Sequence, residues 1–263
     1  MMVKGVFMPI ENKHDEKQIK NRFLELAKRS YEQNMYTFTG FLGLTEQSLF
    51  WEVEKEVSSV GYTIDGGNPL CDRKVIRFGK KDELGYEEDF PIACIRITPV
   101  IKKFSDEFSH RDFLGAIMNL GIDRSTIGDI FLQENEGYVF CLESISEYIV
   151  ENLDKVKHTH IKCDRVNEKL NFIKDEGKIL EMTVTSDRID VVISGVYHVS
   201  RSESLSYFEK AIVYVNGRLC TSNAKNLKQG DVVNVRGKGK FLYGGTQHIT
   251  KKDKCRISVQ VYG

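Results

Sequence analysis

Residues 186–241 constrain the fold of this chain more than any other segment. Apolar residues recur there at the spacing of one helical face from Ile189 onwards, and a second helix is predicted from Ser200, because Ser200 followed by Glu203 is the pattern of a capping box. A short apolar run then leads into Asn216-Gly217, a strong signal for a two-residue hairpin turn. The predicted order is helix, helix, strand, turn, strand.

The two predicted helices should pack as a short hairpin on a small sheet. Arg188 and Asp190 are expected at the exposed edge of the first helix, and Leu205, Phe208 and Ile212 on the buried face of the second. The C-terminal run is expected to close the sheet against the segment that precedes the helices. The predicted strands span residues 213–215, 232–235, 178–185 and 256–261, the last after a loop at Gly244-Gly245-Thr246.

The neutral total charge of the chain conceals a polarised distribution. Residues 181–263 contain 13 Lys or Arg against 7 Asp or Glu, a net charge of +6, whereas residues 1–180 contain 25 against 31, a net charge of −6. A basic excess favours a nucleic-acid partner, and the alternative is that these charges only solvate the surface. Arg201 is the strongest candidate for a phosphate contact, because it adds a forked donor to the positive end of a helix.

This segment resembles the S-four RNA-binding domain, also called the alpha-L motif, although Ala211 stands where the family often has Gly. The matching signatures are Arg188-Ile189-Asp190, Ser200-Arg201-Ser202-Glu203, Val213-Tyr214-Val215-Asn216-Gly217, Gly230-Asp231 and Val235-Arg236-Gly237. The resemblance implies shape-directed contacts with folded RNA, mostly to its phosphates, and a steep dependence on salt. The predicted RNA contacts are Arg188, Ser200, Arg201, Lys210, Arg218, Arg236, Lys238 and Lys240, of which Arg236, Lys238 and Lys240 are expected to project on one side of a strand end.

The composition argues against several other classes of protein. With 263 residues, 41% of them hydrophobic and 29% charged, the chain is expected to be a globular protein of the cytosol. It contains no apolar run of membrane-spanning length and no signal-peptide core. Its 6 cysteines include no C-x-x-C pair, which fits reduced thiols, and neither a metal site nor a cofactor is predicted.

The predicted fold class is α+β, with three domains. Residues 1–87 form an N-terminal α+β domain, residues 88–177 a middle domain, and residues 178–263 the S-four domain with additional strands. The middle segment is predicted as strand, helix from Ser109, strand, strand, helix, strand, which is the ferredoxin-like βαββαβ order. A turn at Asn135-Glu136-Gly137 and a capping box of Ser144 with Glu147 belong to this prediction.

Two features of the middle segment have both a functional and a structural interpretation. Tyr138 and Phe140 are similar to the aromatic residues on which RNA-recognition domains stack bases, but alternating aromatics more often form a core. His110 and Arg111 at a helix start are predicted as a secondary RNA contact, and the alternative is an ordinary charged first turn.

Two other polar groups are interpreted as structural. Metal binding is not expected of His158, His160 and Cys163, because in a strand Cys163 would point away from both histidines. A loop of turn-forming residues is likewise preferred to a polar site for Asp65, Asp72, Arg73 and Arg77.

The whole chain resembles the YlmH-like family of bacterial RNA-binding proteins, which have an N-terminal domain, a ferredoxin-like middle domain and a C-terminal S-four domain. The middle-domain signature of that family is matched by residues 110–122, HRDFLGAIMNLGI, and continued by Ile127-Gly128-Asp129-Ile130. The resemblance implies association with the large ribosomal subunit and with rRNA or tRNA. It also implies a role in quality control of stalled translation and a link to cell division.

Two other functional classes stay open. A pseudouridine synthase also uses an S-four domain for docking and needs a catalytic Asp in an Arg-Leu-Asp setting, to which Arg188-Ile189-Asp190 is similar, although a structural role for Asp190 is favoured. The signatures of a tyrosyl-tRNA synthetase and of a methyltransferase are missing from the sequence. An adaptor that binds a protein partner through the acidic N-terminal part is compatible with RNA binding. The sequence therefore favours a non-enzymatic RNA-binding protein.

Overall fold

The computed structural model describes residues 13–166, 178–249 and 254–262, and the chain divides into two compact units, residues 1–170 and 171–263. Both units combine helices with antiparallel sheets, which confirms the predicted α+β class. The predicted boundary between residues 87 and 88 lies inside the first unit and stays a prediction. Among the helices in the described ranges, none is long and apolar enough to cross a membrane.

The first part of unit one is a small sheet packed against two helices. Its elements are α1 (Lys13–Gln33), β1 (Thr37–Phe38), α2 (Leu44–Val57), β2 (Tyr62–Asp65), β3 (Val75–Phe78) and α3 (Lys81–Leu84). The strands are antiparallel in the order β1-β3-β2. Phe23 of α1 and Phe50 of α2 are buried, and their rings meet edge to face with centroids 5.5 Å apart.

The second part of unit one is an antiparallel five-stranded sheet with two helices on one face. Its elements are β4 (Ile92–Pro99), α4 (His110–Met118), β5 (Ile127–Gln133), β6 (Glu136–Leu142), α5 (Glu143–Asn152), β7 (Lys155–Val156) and β8 (Thr159–Val166). The strand order is β5-β6-β4-β8-β7. Phe113 of α4 and Ile149 of α5 share a core with Ile95 and Val139 of the sheet. Helix α4 begins after Ser109, as predicted, and Ser109 caps it.

Two local predictions in this part are wrong. The hairpin turn lies at Glu134-Asn135, where both residues have positive φ, so Glu136-Gly137 belongs to strand β6. Strand β6 also runs directly into α5, which begins at Glu143. Ser144 therefore lies inside the helix and forms no capping box with Glu147.

Unit two is a six-stranded antiparallel sheet with two helices on one face. Its elements are β9 (Lys178–Val184), α6 (Ile189–Tyr197), α7 (Arg201–Glu209), β10 (Val213–Val215), β11 (Arg218–Leu219), β12 (Val232–Val235), β13 (Gly239–Ile249) and β14 (Cys255–Tyr262). The strand order is β11-β10-β12-β13-β14-β9, so the predicted pairing of the C-terminal strand with β9 is confirmed. Val192 and Ile193 of α6 share a core with Phe241 and Ile257.

Three details of unit two correct the prediction. Strand β13 continues through Gly244-Gly245, and the register with β14 shifts there, so this segment is an irregular strand and not a loop. The Asn216-Gly217 turn joins β10 to the short strand β11, whereas β12 pairs with the other edge of β10. In α7, Tyr207 is buried beside Phe208, whereas Leu205 is only half-buried.

Ala211 adopts a left-handed backbone conformation, with φ 52°, after the end of α7. A Cβ atom is unfavourable there, and Gly removes that strain although its unfolded chain is more flexible. We expect Ala211→Gly to raise the free energy of unfolding by about 0.5 to 1 kcal/mol. Urea unfolding measures this change. Ala224→Gly at an exposed position serves as the control. A loss of stability in Ala211→Gly would contradict the interpretation that the backbone of Ala211 is strained.

Candidate nucleic-acid interface

A buried carboxylate lies at the start of the helix pair in unit two. Asp190 is completely buried in the first turn of α6 and forms ion pairs with Arg188 and Arg201. Arg188 donates from Nε to Oδ1 at 3.0 Å and from Nη2 to Oδ2 at 3.1 Å. Arg201 donates from Nη2 to Oδ2 at 3.3 Å. Two guanidinium groups therefore share one carboxylate, which leaves an excess of positive charge.

Hydrogen bonds between the two helices hold this carboxylate in place. Ser204 of α7 donates from Oγ to the Asp190 carbonyl oxygen at 2.8 Å. Ser200 caps α7, as predicted, because its Oγ accepts from the Glu203 backbone N–H at 3.1 Å. The cap of α7 is formed by Ser200 without the reciprocal bond of the predicted capping box, and the Glu203 carboxylate accepts from the Tyr207 hydroxyl at 2.6 Å.

The two arginines remain accessible although their shared partner is buried. The side chain of Arg188 is 36% exposed and that of Arg201 is 58% exposed. Charge-assisted hydrogen bonds restrict both side chains, so the guanidinium groups are presented in a defined geometry. The expectation that Asp190 lies at the exposed edge of the helix is wrong, because its two cationic partners allow the carboxylate to be buried.

A second carboxylate, that of Glu203, pairs with Lys238 in the turn between β12 and β13, and this lysine extends the positive surface to the turn. Lys238 Nζ lies 3.5 Å from Glu203 Oε1 and 5.7 Å from the centroid of the Tyr207 ring. The hydrogen bond from Tyr207, together with the Lys238 charge, lowers the pKa of Glu203, which stays ionised at neutral pH. Lys210 is exposed at the end of α7 and acts on the same carboxylate. The basic strip is defined as Arg188, Arg201, Lys210 and Lys238.

The other predicted contacts lie outside this strip. Lys240 is on β13 next to Phe241, which is buried against the helices, so Lys240 faces the opposite side of the sheet. Its ammonium group lies 5.7 Å from the centroid of the Tyr262 ring. Arg236 is exposed after β12, and Arg218 is exposed on the edge strand β11. The expectation that Lys238 and Lys240 project on the same side is therefore wrong.

The predicted secondary contact belongs to unit one. His110 and Arg111 are both exposed in the first turn of α4. In the same turn, Asp112 accepts a hydrogen bond from the Ser109 backbone N–H at 2.8 Å and pairs with Lys157 at 3.1 Å. The first turn of α4 is therefore an ordinary capped helix start, and an RNA contact there stays a prediction.

The side chains considered for a metal site are not brought together. Cys163 is buried, and its Sγ lies 3.6 Å from the Leu153 carbonyl oxygen, whereas His158 and His160 are exposed. Within the part of the chain that the structure describes, no group of three or more His, Cys, Asp or Glu residues is arranged to hold a metal ion.

Comparisons with known proteins add two matches at the level of sequence. Residues 86–169 match the family model described as "Putative RNA-binding domain in YlmH". The protein named "Ribosome-associated protein quality control protein P2" from Bacillus subtilis is 25% identical over 250 residues, which cover 94% of this chain and 95% of that protein.

A solved structure was also matched. It is named "Cell division protein ylmH from Streptococcus pneumoniae", with a TM-score of 0.45 and 15% sequence identity over 61% of this chain and 96% of that chain. The sequence matches cover the middle segment and nearly the full length of the chain. Together with the signatures at residues 110–122 and in the helix pair, these matches make the chain similar to the YlmH-like family.

Proposed function

We propose that this chain is a non-catalytic RNA-binding protein that associates with the ribosome and contacts RNA phosphates through the basic strip. The observation that carries the proposal is the anchoring of Arg188 and Arg201 on one buried carboxylate. Forked guanidinium groups match the geometry of phosphate oxygens. In the ion pairs that the structure describes there, three cations of the strip face two carboxylates, Asp190 and Glu203, and Lys210 adds a fourth cation, so the strip has a positive excess.

The fold supports the predicted domain types. In unit two, two short helices precede β10 and the Asn216-Gly217 turn, in the order of an S-four domain, and β9, β13 and β14 extend its sheet. In unit one, β4, α4, β5, β6, α5 and β8 follow the βαββαβ order, with the strands arranged β5-β6-β4-β8. We therefore propose an S-four domain at residues 178–263 and a ferredoxin-like domain at residues 88–177, after an N-terminal domain at residues 1–87.

The matched protein and the matched family model support ribosomal RNA as the partner. The Bacillus subtilis protein is named for ribosome-associated quality control, and the matched domain is described as RNA-binding. Because the first of these covers almost the full length of both chains, we propose the same kind of task for this chain. The finer proposals are binding to the large subunit and to tRNA in the cytoplasm after translation has stalled.

The burial of Asp190 argues against the enzymatic alternative. A pseudouridine synthase needs an aspartate whose carboxylate can reach the substrate. Asp190 is completely buried, and both of its carboxylate oxygens accept hydrogen bonds from arginine. This carboxylate positions two cations, and a substrate would have to displace them to reach it.

Replacing Arg201 tests the proposal. We expect Arg201→Gln to weaken binding to large ribosomal subunits about tenfold, because one forked phosphate contact is lost. Co-sedimentation of the full chain with purified subunits measures the affinity. Glu is unsuitable at this position, since it would place a second carboxylate beside the buried Asp190, which lies 3.3 Å from Arg201.

Arg256→Gln is the matched control for this experiment. Arg256 lies in the same unit, pairs with Glu181 at 2.8 Å, and is on the face of the sheet opposite the helices, next to the buried Ile257. The control should bind like the unmodified chain. Equal affinities of the two variants, or an Arg201→Gln protein that is folded and binds normally, would contradict the proposal.

A further inference from the structure

The sheet of the second part of unit one has a face that its helices do not cover. Ile95, Val139 and Ile130 point into the core beneath α4 and α5. Side chains therefore alternate onto the opposite face at the neighbouring positions of β4, β5 and β6. We infer that the exposed end of this opposite face binds unpaired RNA, by stacking bases on Phe131 and Tyr138 beside Arg96 and Lys102.

The strand register places these side chains in one row. Phe131 of β5 is paired with Tyr138 of β6, and Tyr138 is paired with Arg96 of β4. Directly opposite residues in an antiparallel sheet point to the same face with Cβ atoms about 5 Å apart. Phe131 and Tyr138 are both half-buried. The Phe131 ring meets the Phe140 ring edge to face with centroids 5.9 Å apart, and the Tyr138 hydroxyl lies 3.5 Å from Glu136 Oε2. Arg96 is in turn paired with Asp164 of β8, whose carboxylate pairs with Lys162 at 2.8 Å. The row is therefore aromatic, aromatic, cationic, acidic.

Within the described residues, the N-terminal part of the same unit closely approaches one end of this face. Phe140, the next residue of β6 on the face, is buried. A Cβ atom added to Gly67 would lie 2.6 Å from the Phe140 ring, which shows how closely the N-terminal part approaches there. Of the two aromatic residues considered in β6, Phe140 therefore belongs to the interior, and the inference rests on Tyr138 together with the half-buried Phe131 of β5.

At the end of the face away from Phe140, the buried carboxylate of Glu136 pairs with two cations. Glu136 accepts hydrogen bonds from Arg96 Nε at 2.8 Å and pairs with Lys102 Nζ at 2.7 Å. Burial alone would raise the pKa of Glu136, but the hydrogen bonds from Lys102 and Arg96 lower it overall. The side chain of Arg96 is still 46% exposed and that of Lys102 is 66% exposed. With the neighbouring pair of Lys162 and Asp164 included, three cations face two carboxylates, so one positive charge is in excess beside the aromatic row.

This chemistry fits a single RNA strand. Each base has a face that stacks on an aromatic ring whatever its sequence, while cations beside the rings follow the phosphates. A duplex hides the faces of its bases, so it gains only the contact with the cations. The second RNA surface rests on the proposed RNA-binding function, but it lies in the other unit, and the two surfaces are tested by different variants.

The test uses the full chain and an oligouridylate of about a dozen nucleotides, with fluorescence anisotropy as the readout. The variant Phe131→Leu/Tyr138→Leu keeps apolar side chains but removes stacking, and we expect it to bind the oligouridylate about tenfold more weakly. Tyr148→Leu, an exposed tyrosine on α5, is the matched control and should bind normally. Arg201→Gln should also retain this binding, although its binding to ribosomal subunits is weakened.

Three results would overturn the inference. One is unchanged affinity in the Leu variant, and another is an equal loss of affinity for a blunt RNA duplex of the same length. The third does not depend on the folding of any variant: an oligonucleotide carrying 4-thiouridine is crosslinked to the unmodified chain. Adducts at Phe131 or Tyr138 are expected, and adducts confined to residues 178–262 would exclude this face.

Discussion

Asp190→Asn is expected to lower the free energy of unfolding of unit two by about 3 kcal/mol. The change removes a fully buried negative charge and leaves two guanidinium groups without their shared partner. Breaking a buried ion pair usually costs about 3 to 5 kcal/mol, and the lower end applies because Arg188 and Arg201 are partly solvated. Urea unfolding, followed by a probe in unit two, measures the change.

The same substitution should weaken RNA binding, although Asp190 itself is too deeply buried to touch RNA. Without the carboxylate, Arg188 and Arg201 lose the hydrogen bonds that hold them in place. Glu181→Gln provides the matched control, since Glu181 also pairs with an arginine but is exposed. If Asp190→Asn and Glu181→Gln are equally mild in both measurements, Asp190 does not position the basic strip.

Arg73→Met is the second change with a large expected effect, in unit one. Arg73 donates from Nε to the Ile127 carbonyl oxygen at 2.9 Å and from Nη2 to the Phe41 carbonyl oxygen at 2.8 Å. It thus ties the N-terminal part to the start of β5. Met fills similar space but offers no donor, so these carbonyls lose their partner, at a cost of about 1 to 3 kcal/mol each. We expect a total loss of about 3 kcal/mol.

Amide hydrogen exchange measures this effect where it arises. Protection should fall at the Phe41 amide. This N–H donates to the Ser125 carbonyl oxygen at 2.6 Å, next to the hydrogen bonds of Arg73. Burial lowers the pKa of Arg73 below its ordinary value, but the group remains charged at neutral pH. Arg22→Met, at an exposed position of α1, is the control. Unchanged exchange in Arg73→Met would show that the hydrogen bonds of the Arg73 side chain contribute little to the stability of unit one.

Periodicity and capping patterns predicted the elements that rest on local chemistry. Helices α6 and α7 follow the apolar spacing from Ile189 and the Ser200 cap, and the Asn216-Gly217 turn has the positive φ values that these residues tolerate. Gly244-Gly245 misled the prediction, because glycine marks a loop and an irregular strand equally well. A local pattern cannot distinguish the two without the partner strand.

The sequence predicts which basic residues belong to the site, but not the buried carboxylate that holds two of them in place. The S-four signatures identify Arg188 and Arg201, but the sequence predicts Asp190 at the exposed edge of the helix, because charged side chains are usually solvated. Only the folded helix pair brings Arg201 and Ser204 of α7 to Asp190 of α6. The turn-forming residues around Arg73 likewise predict only a loop, because its partner carbonyls lie more than thirty residues away in the sequence.

The salt dependence of binding to the large ribosomal subunit tests the role of the basic strip most directly. The dissociation constant is measured over a series of salt concentrations for the unmodified chain and for Arg188→Gln/Arg201→Gln. If both arginines contact phosphates, the slope of log Kd against log salt should become shallower by about 1.5 in the variant. An unchanged slope in a folded variant would contradict phosphate contacts by these arginines.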